Sequence, residues 1–450
     1  MREDYLIQFK KTWKLAYPIC LSHLGHVLVG VADSIMVGNY GGEGSPIGAI
    51  SLAAASLANG IFSVVLVFGI GVSFAISTLV ASADGENNKS KIMELLKHSI
   101  LICTILGLLL FLILFLGSPA LNYFGQTPAV VELAIPYFSI LGFSMLPLMV
   151  FMAFKNFAEG LSFTRQAMYI SIISNLLNVF LNYLLIYGKM GFPEMGLNGA
   201  GWATFISRVL MAVAMFVYIY KSPLFSPYKK GFSISNYSFE IIRKITRLGI
   251  PIGLQFTFEV GAFAFAAIMI GWIGAIQLAS HQIAITLASV TYMLASGISA
   301  ATTVRVGNQF GAGSLSGVRM AGFSGFILSF AFMFTAACIF IVFSNYLPPL
   351  FNQHEKVIQL ASSLIVIAAL FQLSDGVQVV GLGALRGMSD VKVPTFITVI
   401  AYWGLALPLS YFLGFTLNFG ARGIWVGLLI GLSVAAVLLF SRFNTKSKAI

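Results

Sequence analysis

Twelve runs of the chain are long, apolar and almost free of charge. They cover roughly residues 15–38, 48–81, 99–117, 129–152, 167–187, 199–220, 248–272, 280–303, 321–345, 357–383, 395–415 and 423–441. About 20 apolar residues cross a bilayer as a helix. Lipid offers no water to backbone polar groups, so spanning segments are either helices or strands of a closed barrel. Barrel strands are short and alternate in polarity, whereas these runs are long and continuously apolar. The fold class is therefore all-α and polytopic, with twelve transmembrane helices. Composition agrees: 9% of the residues are charged, against about 25% in an average soluble domain.

The segment before the first run, MREDYLIQFKKTWK, is charged and lacks a small-residue cleavage site. The first run is thus expected to stay as a helix rather than leave as a signal peptide. The net charge of +11 is informative through its placement. Of the 26 Lys and Arg, 22 fall in one set of loops, Lys189, Lys356 and Arg422 fall in the other, and Arg208 lies inside the sixth run. Cytoplasmic loops hold the basic excess, so both termini are expected in the cytoplasm, and no nucleic acid is needed to explain the charge. Cys20, Cys103 and Cys338 lie in apolar runs and read as small core residues. No P-loop, GxSxG or HExxH motif is present in the sequence.

The chain repeats itself. Shifted by 233 residues, Leu15, Pro18, Ile19, Ile35, Met36 and Gly38 fall on Leu248, Pro251, Ile252, Ile268, Met269 and Gly271. Shifted by 227, Phe124 falls on Phe351 and Gly160 on Gly387. Two halves of six spans each follow. An even number of spans returns each half to the same side, so the six-helix lobes are related by a pseudo-two-fold axis along the membrane normal. The expected domains are 1–220, a polar cytoplasmic linker at 221–247, and 248–450.

Only three acids lie well inside the runs: Asp33, Glu259 and Asp375. A carboxylate at the bilayer centre costs about 2.5–3.5 kcal/mol on insertion scales, and intramembrane acids usually face a cavity and carry function. The bland alternative is a hydrogen bond between helices. Gln372, Asp375 and Gln378 are three apart and share a helix face. Thr286, Ser289 and Tyr292 repeat that spacing in the eighth run. With Glu259, these side chains form an expected oxygen-rich pocket in the second half, suited to a hard cation such as sodium or to a proton. In the first half, His26 and Asp33 are two turns apart, and Ser171, Asn175, Asn178 and Asn182 form a stripe in the fifth run. This stripe either glues helices or builds a second pocket around Asp33. His281 and Gln282 read as interfacial residues. Pro18, Pro147, Pro251 and Pro408 interrupt runs and are expected to kink them.

Several segments together resemble one family. VADSIMVG (31–38), KNFAEGLSF (155–163), FEVGAFA (258–264), HQIAI (281–285), VRVGNQFGAG (304–313), QLSDGVQVVGLGALRG (372–387) and AYWGLALPLSYFLG (401–414) are similar to the multidrug and toxic compound extrusion (MATE) family, in its bacterial NorM-like branch. The resemblance runs along nearly the whole chain. It implies a secondary antiporter of the bacterial inner membrane, exchanging cationic or amphiphilic small molecules for sodium or protons, with no other cofactor, and acting as a monomer among lipids. It further implies cation binding at Glu259 and Asp375 and proton coupling at Asp33. Phe371, one turn before Asp375, departs from the tyrosine common in the family. A lipid-linked precursor or polysaccharide flippase is the rival of similar architecture; it would need a basic cavity, and Arg208 is the one basic residue inside a run. An intramembrane enzyme would need a reactive constellation that the sequence does not offer.

Overall fold

The computed structural model describes residues 2–42, 46–228 and 236–449. Glu43 and the linker residues Lys229 and Lys230 lie outside the described residues, as do the side chains of Arg2, Glu3 and Asp4. The chain is 89% helical, with no strand among the described residues.

Twelve helical segments among these residues are long and apolar enough to cross a membrane. Three come first: α1 (Arg2–Gly38), α2 (Pro46–Gly85) and α3 (Lys89–Gly117). The fourth span is divided into α4 (Pro128–Phe143) and α5 (Met145–Gly160). Next are α6 (Thr164–Tyr187), α7 (Gly196–Lys221), α8 (Phe239–Ile273), α9 (Ala275–Gly311), α10 (Leu315–Val342) and α11 (Glu355–Gly387). The eleventh span contains α12 (Lys392–Val399) and α13 (Leu407–Tyr411), and α14 (Gly420–Ala449) closes the chain.

All twelve expected runs coincide with a span, but the helices are longer. Helix α3 starts at Lys89 rather than 99, α8 at Phe239 rather than 248, and α9 runs on to Gly311. Apolarity marks only the stretch in lipid; the extra turns are polar and continue beyond it. Their ends are closed by side chains. Asn88 accepts from the Lys91 N–H at 3.0 Å at the start of α3, and Ser314 accepts from the Gly317 N–H at 3.2 Å at the start of α10, each replacing a bond that a first turn lacks.

The four prolines act differently. Pro147 follows the break at Ser144 between α4 and α5; it has no N–H, so the carbonyl one turn back is released. Pro408 lies between two wider π-turn segments, Ile400–Ala406 and Phe412–Thr416. Pro18 and Pro251 sit inside the continuous helices α1 and α8.

The chain forms two compact units. One, the carboxy-terminal unit, comprises Leu254–Ile450 with Met1–His23 and Ala81–Asn87; the other, the amino-terminal unit, comprises Leu24–Val80 with Asn88–Gly253. In the carboxy-terminal unit α11 is central, packing on α9, α10 and α14. Buried hydroxyls join these helices: Ser299 Oγ donates to Val379 O at 2.6 Å and Thr303 Oγ1 to Gly383 O at 2.9 Å. Along α14, Gly427 and Gly431 are one turn apart, and a Cβ on either would overlap Ser410 or Ala406 of the eleventh span. Small residues at this spacing let two membrane helices approach closely. In the amino-terminal unit α7 packs on α4, α5 and α6, and Asn156 Nδ2 donates to Ser73 Oγ at 2.9 Å between α5 and α2. Helix α3 exposes Ile105, Leu108, Leu109, Leu112, Ile113 and Leu116, an outward apolar face suited to lipid.

Candidate functional site

In the carboxy-terminal unit, Glu259 on α8 and Asp375 on α11 are buried to 4% and 5% exposure, and each lies within electrostatic reach of the other. Gln372 and Gln378 flank Asp375 on the same face of α11 and are also buried. Both amide atoms of each glutamine, and the Tyr402 hydroxyl, make no hydrogen bond of standard geometry among the described residues. Gln378 and Tyr402 face the Glu259 carboxylate and are close enough to interact with it, but neither forms a bond of standard length and angle. An unsatisfied buried polar group costs about 1–3 kcal/mol, and native folds contain few of them. Five such atoms thus lie close to the two carboxylates.

Tyr292 of α9 lies within reach of both acids, and Arg386 of α11 within reach of Glu259. Arg386 Nη2 donates to Gln255 Oε1 at 3.3 Å, and its guanidinium lies 4.9 Å from the Phe256 ring centre. Gln255 and Glu259 are one helical turn apart, so the guanidinium sits one turn along α8 from the acid. Thr286 and Ser289 direct their hydroxyl protons to their own helix. Their hydroxyls donate to Gln282 O and Ile285 O of their own helix, each at 2.7 Å. Of that expected face, Tyr292 is the residue the structure brings to the carboxylates.

The amino-terminal unit handles its acid differently. Asp33 Oδ1 accepts a short hydrogen bond from Asn182 Nδ2. Asn178, with its amide turned to suit its neighbours, donates to the same oxygen at 3.1 Å and accepts from the Thr204 N–H at 3.3 Å. Asn175 stands lower on the stripe, packed against α1 where Gly25 leaves room: a Cβ there would come within 2.9 Å of its Nδ2. His26 shares the α1 face but is exposed, within reach of Lys155 and Arg208. Arg208 Nη1 donates to Ser144 Oγ at 2.5 Å, at the break in the fourth span, and its guanidinium lies 5.3 Å from the Phe62 ring centre. Asp33 and Tyr137 are within its reach.

Sequence reasoning did not single out Tyr402, Gln255 or Arg386. Arg386 stands near the end of an apolar run and looks like a loop cation, yet it is buried in α11. Glu159 is likewise buried, 3.8 Å from Lys155 Nζ one turn away on α5. His281 is not interfacial but buried; its Nδ1 accepts from Trp425 Nε1 at 3.1 Å.

Acids buried among twelve spanning helices are the mark of a membrane transporter. Comparison supplies the family: residues 18–184 and 251–412 match MatE, and the chain belongs to this family. It is 34% identical to the "Probable multidrug resistance protein NorM" of Pseudomonas putida, covering 98% of this chain and 95% of that protein. It is 32% identical to the "Multidrug resistance protein MdtK" of Pectobacterium atrosepticum, covering 98% and 96%. The fold is similar to that of the eukaryotic MATE transporter AtDTX14, with a TM-score of 0.89 at 21% identity over 99% of this chain and 98% of that one. It is also similar to a MOP superfamily transporter from Pyrococcus furiosus, with a TM-score of 0.86 at 22% identity over 98% and 96%. Twelve apolar helices and bacterial relatives together place the chain among multi-pass proteins of the bacterial inner membrane.

Proposed function

We propose that this chain is a secondary active antiporter that exports small cationic or amphiphilic molecules in exchange for an inward monovalent cation. The observation that carries the reading is the pair of buried carboxylates, Glu259 and Asp375, set among amide and phenol groups that the fold leaves unpartnered. The names of the NorM and MdtK relatives support the substrate class.

The chemistry follows from charge and ligand type. Two carboxylates and one nearby guanidinium leave one negative charge, which one monovalent cation neutralises. Hard cations take oxygen ligands, and Gln372, Gln378, Tyr292 and Tyr402 add neutral oxygens to the two acids. A proton needs only one acid, so this donor set favours sodium. An ion drives a conformational change to the extent that it binds one state better than the other. Occupancy of the pocket would thereby bias two lobes, residues 1–220 and 248–450, between inward-open and outward-open arrangements. Asp33, with His26, Asn175 and Asn178, forms a second site for a proton or for substrate. The basic excess on one set of loops supports cytoplasmic termini, and each lobe pair works as a monomer.

Efflux of a fluorescent organic cation from proteoliposomes tests the reading. A sodium gradient at fixed pH is expected to drive it, and a pH gradient without sodium to drive it weakly. Efflux driven fully by the pH gradient and untouched by sodium would replace sodium with the proton.

A further inference from the structure

The hydroxyl of Tyr402 is aimed at the Glu259 carboxylate without a well-formed hydrogen bond to any described residue. The side chain is 0% exposed, and its Oη makes no hydrogen bond of standard geometry among the described residues. It faces Glu259 and lies within reach of Asp375 and Tyr292. Its ring is fixed edge-on against Phe263, with ring centres 5.7 Å apart. Buried tyrosine hydroxyls usually find a partner, and one left without costs about 1–3 kcal/mol. Phenylalanine would fill the same space without that cost, so packing alone does not explain the oxygen.

The backbone points the same way. Tyr402 lies in the π-turn segment Ile400–Ala406, and π-bulges inside α-helices recur at functional sites. From the other side α14 presses on this segment: a Cβ at Gly431 would overlap Ala406 and approach Ala401 O. The irregular turn is thus held in place, and with it the ring. On α11 the residue one turn before Asp375 is Phe371, which packs on Phe263 and Trp425 at 5.9 and 6.0 Å and brings no oxygen.

We propose that Tyr402 is a direct oxygen ligand of the coupling cation, a sodium ion held together with Glu259 and Asp375. The proposal rests on the reading of this pocket as the coupling site. The orphaned hydroxyl is then a cost carried by the fold and offset when the ion binds, a trade of stability against function of the kind common at sites.

Tyr402→Phe and Glu259→Gln separate the possibilities, with sodium replaced by N-methylglucamine at constant ionic strength. Half-saturating sodium is read from efflux of a fluorescent organic cation, and sodium-dependent melting from the purified protein. Without sodium, Tyr402→Phe is expected to melt at or above the wild-type temperature, because an unsatisfied hydroxyl is gone. Its half-saturating sodium is expected to rise about tenfold, the loss of one good ligand contact, with the maximal rate changed less. A lower melting temperature with unchanged half-saturating sodium assigns the hydroxyl to structure and overturns the proposal, as does unchanged behaviour in both. If Glu259→Gln loses the sodium response and Tyr402→Phe keeps it, only the role of Tyr402 falls. If Glu259→Gln also keeps it, the reading of the pocket falls.

Discussion

The two units bury their acids in opposite ways. In the amino-terminal unit the fold answers Asp33: Asn182 and Asn178 both donate to one carboxylate oxygen. In the carboxy-terminal unit Glu259 and Asp375 stand among glutamine amides and a phenol that make no hydrogen bond of standard geometry among the described residues. The Asp33 carboxylate has amide donors from its own unit, although Asn175 Nδ2 and Asn182 Oδ1 beside it find no partner among the described residues; Glu259 and Asp375 have no such well-formed bonds to the amides and phenol beside them. Polar networks that are fully satisfied stiffen and specify a fold, and partly satisfied ones are costly. On the proposed function, the difference in how the acids are bonded corresponds to a cation site in one unit and a proton or substrate site in the other.

The comparison breaks first, and most strongly, at the acids. Glu259→Gln and Asp375→Asn are each expected to lower cation-driven efflux about a hundredfold, the loss of a charged ligand, with folded protein still in the membrane. Asp33→Asn is expected to lower it only about tenfold and in a way that depends on external pH. Transport assays of the three variants at several external pH values check this; equal losses in all three would erase the distinction between the units.

A smaller effect sharpens it. Asn182→Leu removes a donor that Asp33 uses and is expected to destabilise the folded protein by about 1–3 kcal/mol. Gln378→Leu removes two atoms that make no hydrogen bond of standard geometry and is expected to change sodium-free stability by no more than about 0.5 kcal/mol, while weakening the response to sodium. Denaturation of both variants with and without sodium measures the pair. A large sodium-free loss for Gln378→Leu would mean that its amide is structural after all.

Much of this was legible in the chain, and the misses have a common cause. Apolar runs betray spans, and an isolated carboxylate in such a run betrays a site, because both are costly in lipid. Helix ends were not legible, because the extra turns of α3, α8 and α9 are polar and give no hydropathy signal. Spacing placed Thr286 and Ser289 on the face of Tyr292; it could not show that their hydroxyls donate to the carbonyl one turn back, as they do. Arg386 was hidden by its position near the end of a run. Tyr402 was hidden because a tyrosine in a span is ordinary; only the structure shows that it is fully buried and aimed at the Glu259 carboxylate. The proline signals were half informative, since Pro147 and Pro408 meet breaks in the helix while Pro18 and Pro251 do not.

The most direct test is equilibrium binding of radioactive sodium to the purified protein, compared across wild type, Glu259→Gln, Asp375→Asn and Asp33→Asn at one pH. Wild type and Asp33→Asn are expected to bind one ion with similar affinity, and the other two variants to bind none at concentrations that saturate wild type. Sodium retained by Glu259→Gln and Asp375→Asn but lost from Asp33→Asn would move the ion site to the other unit and contradict the separation of roles.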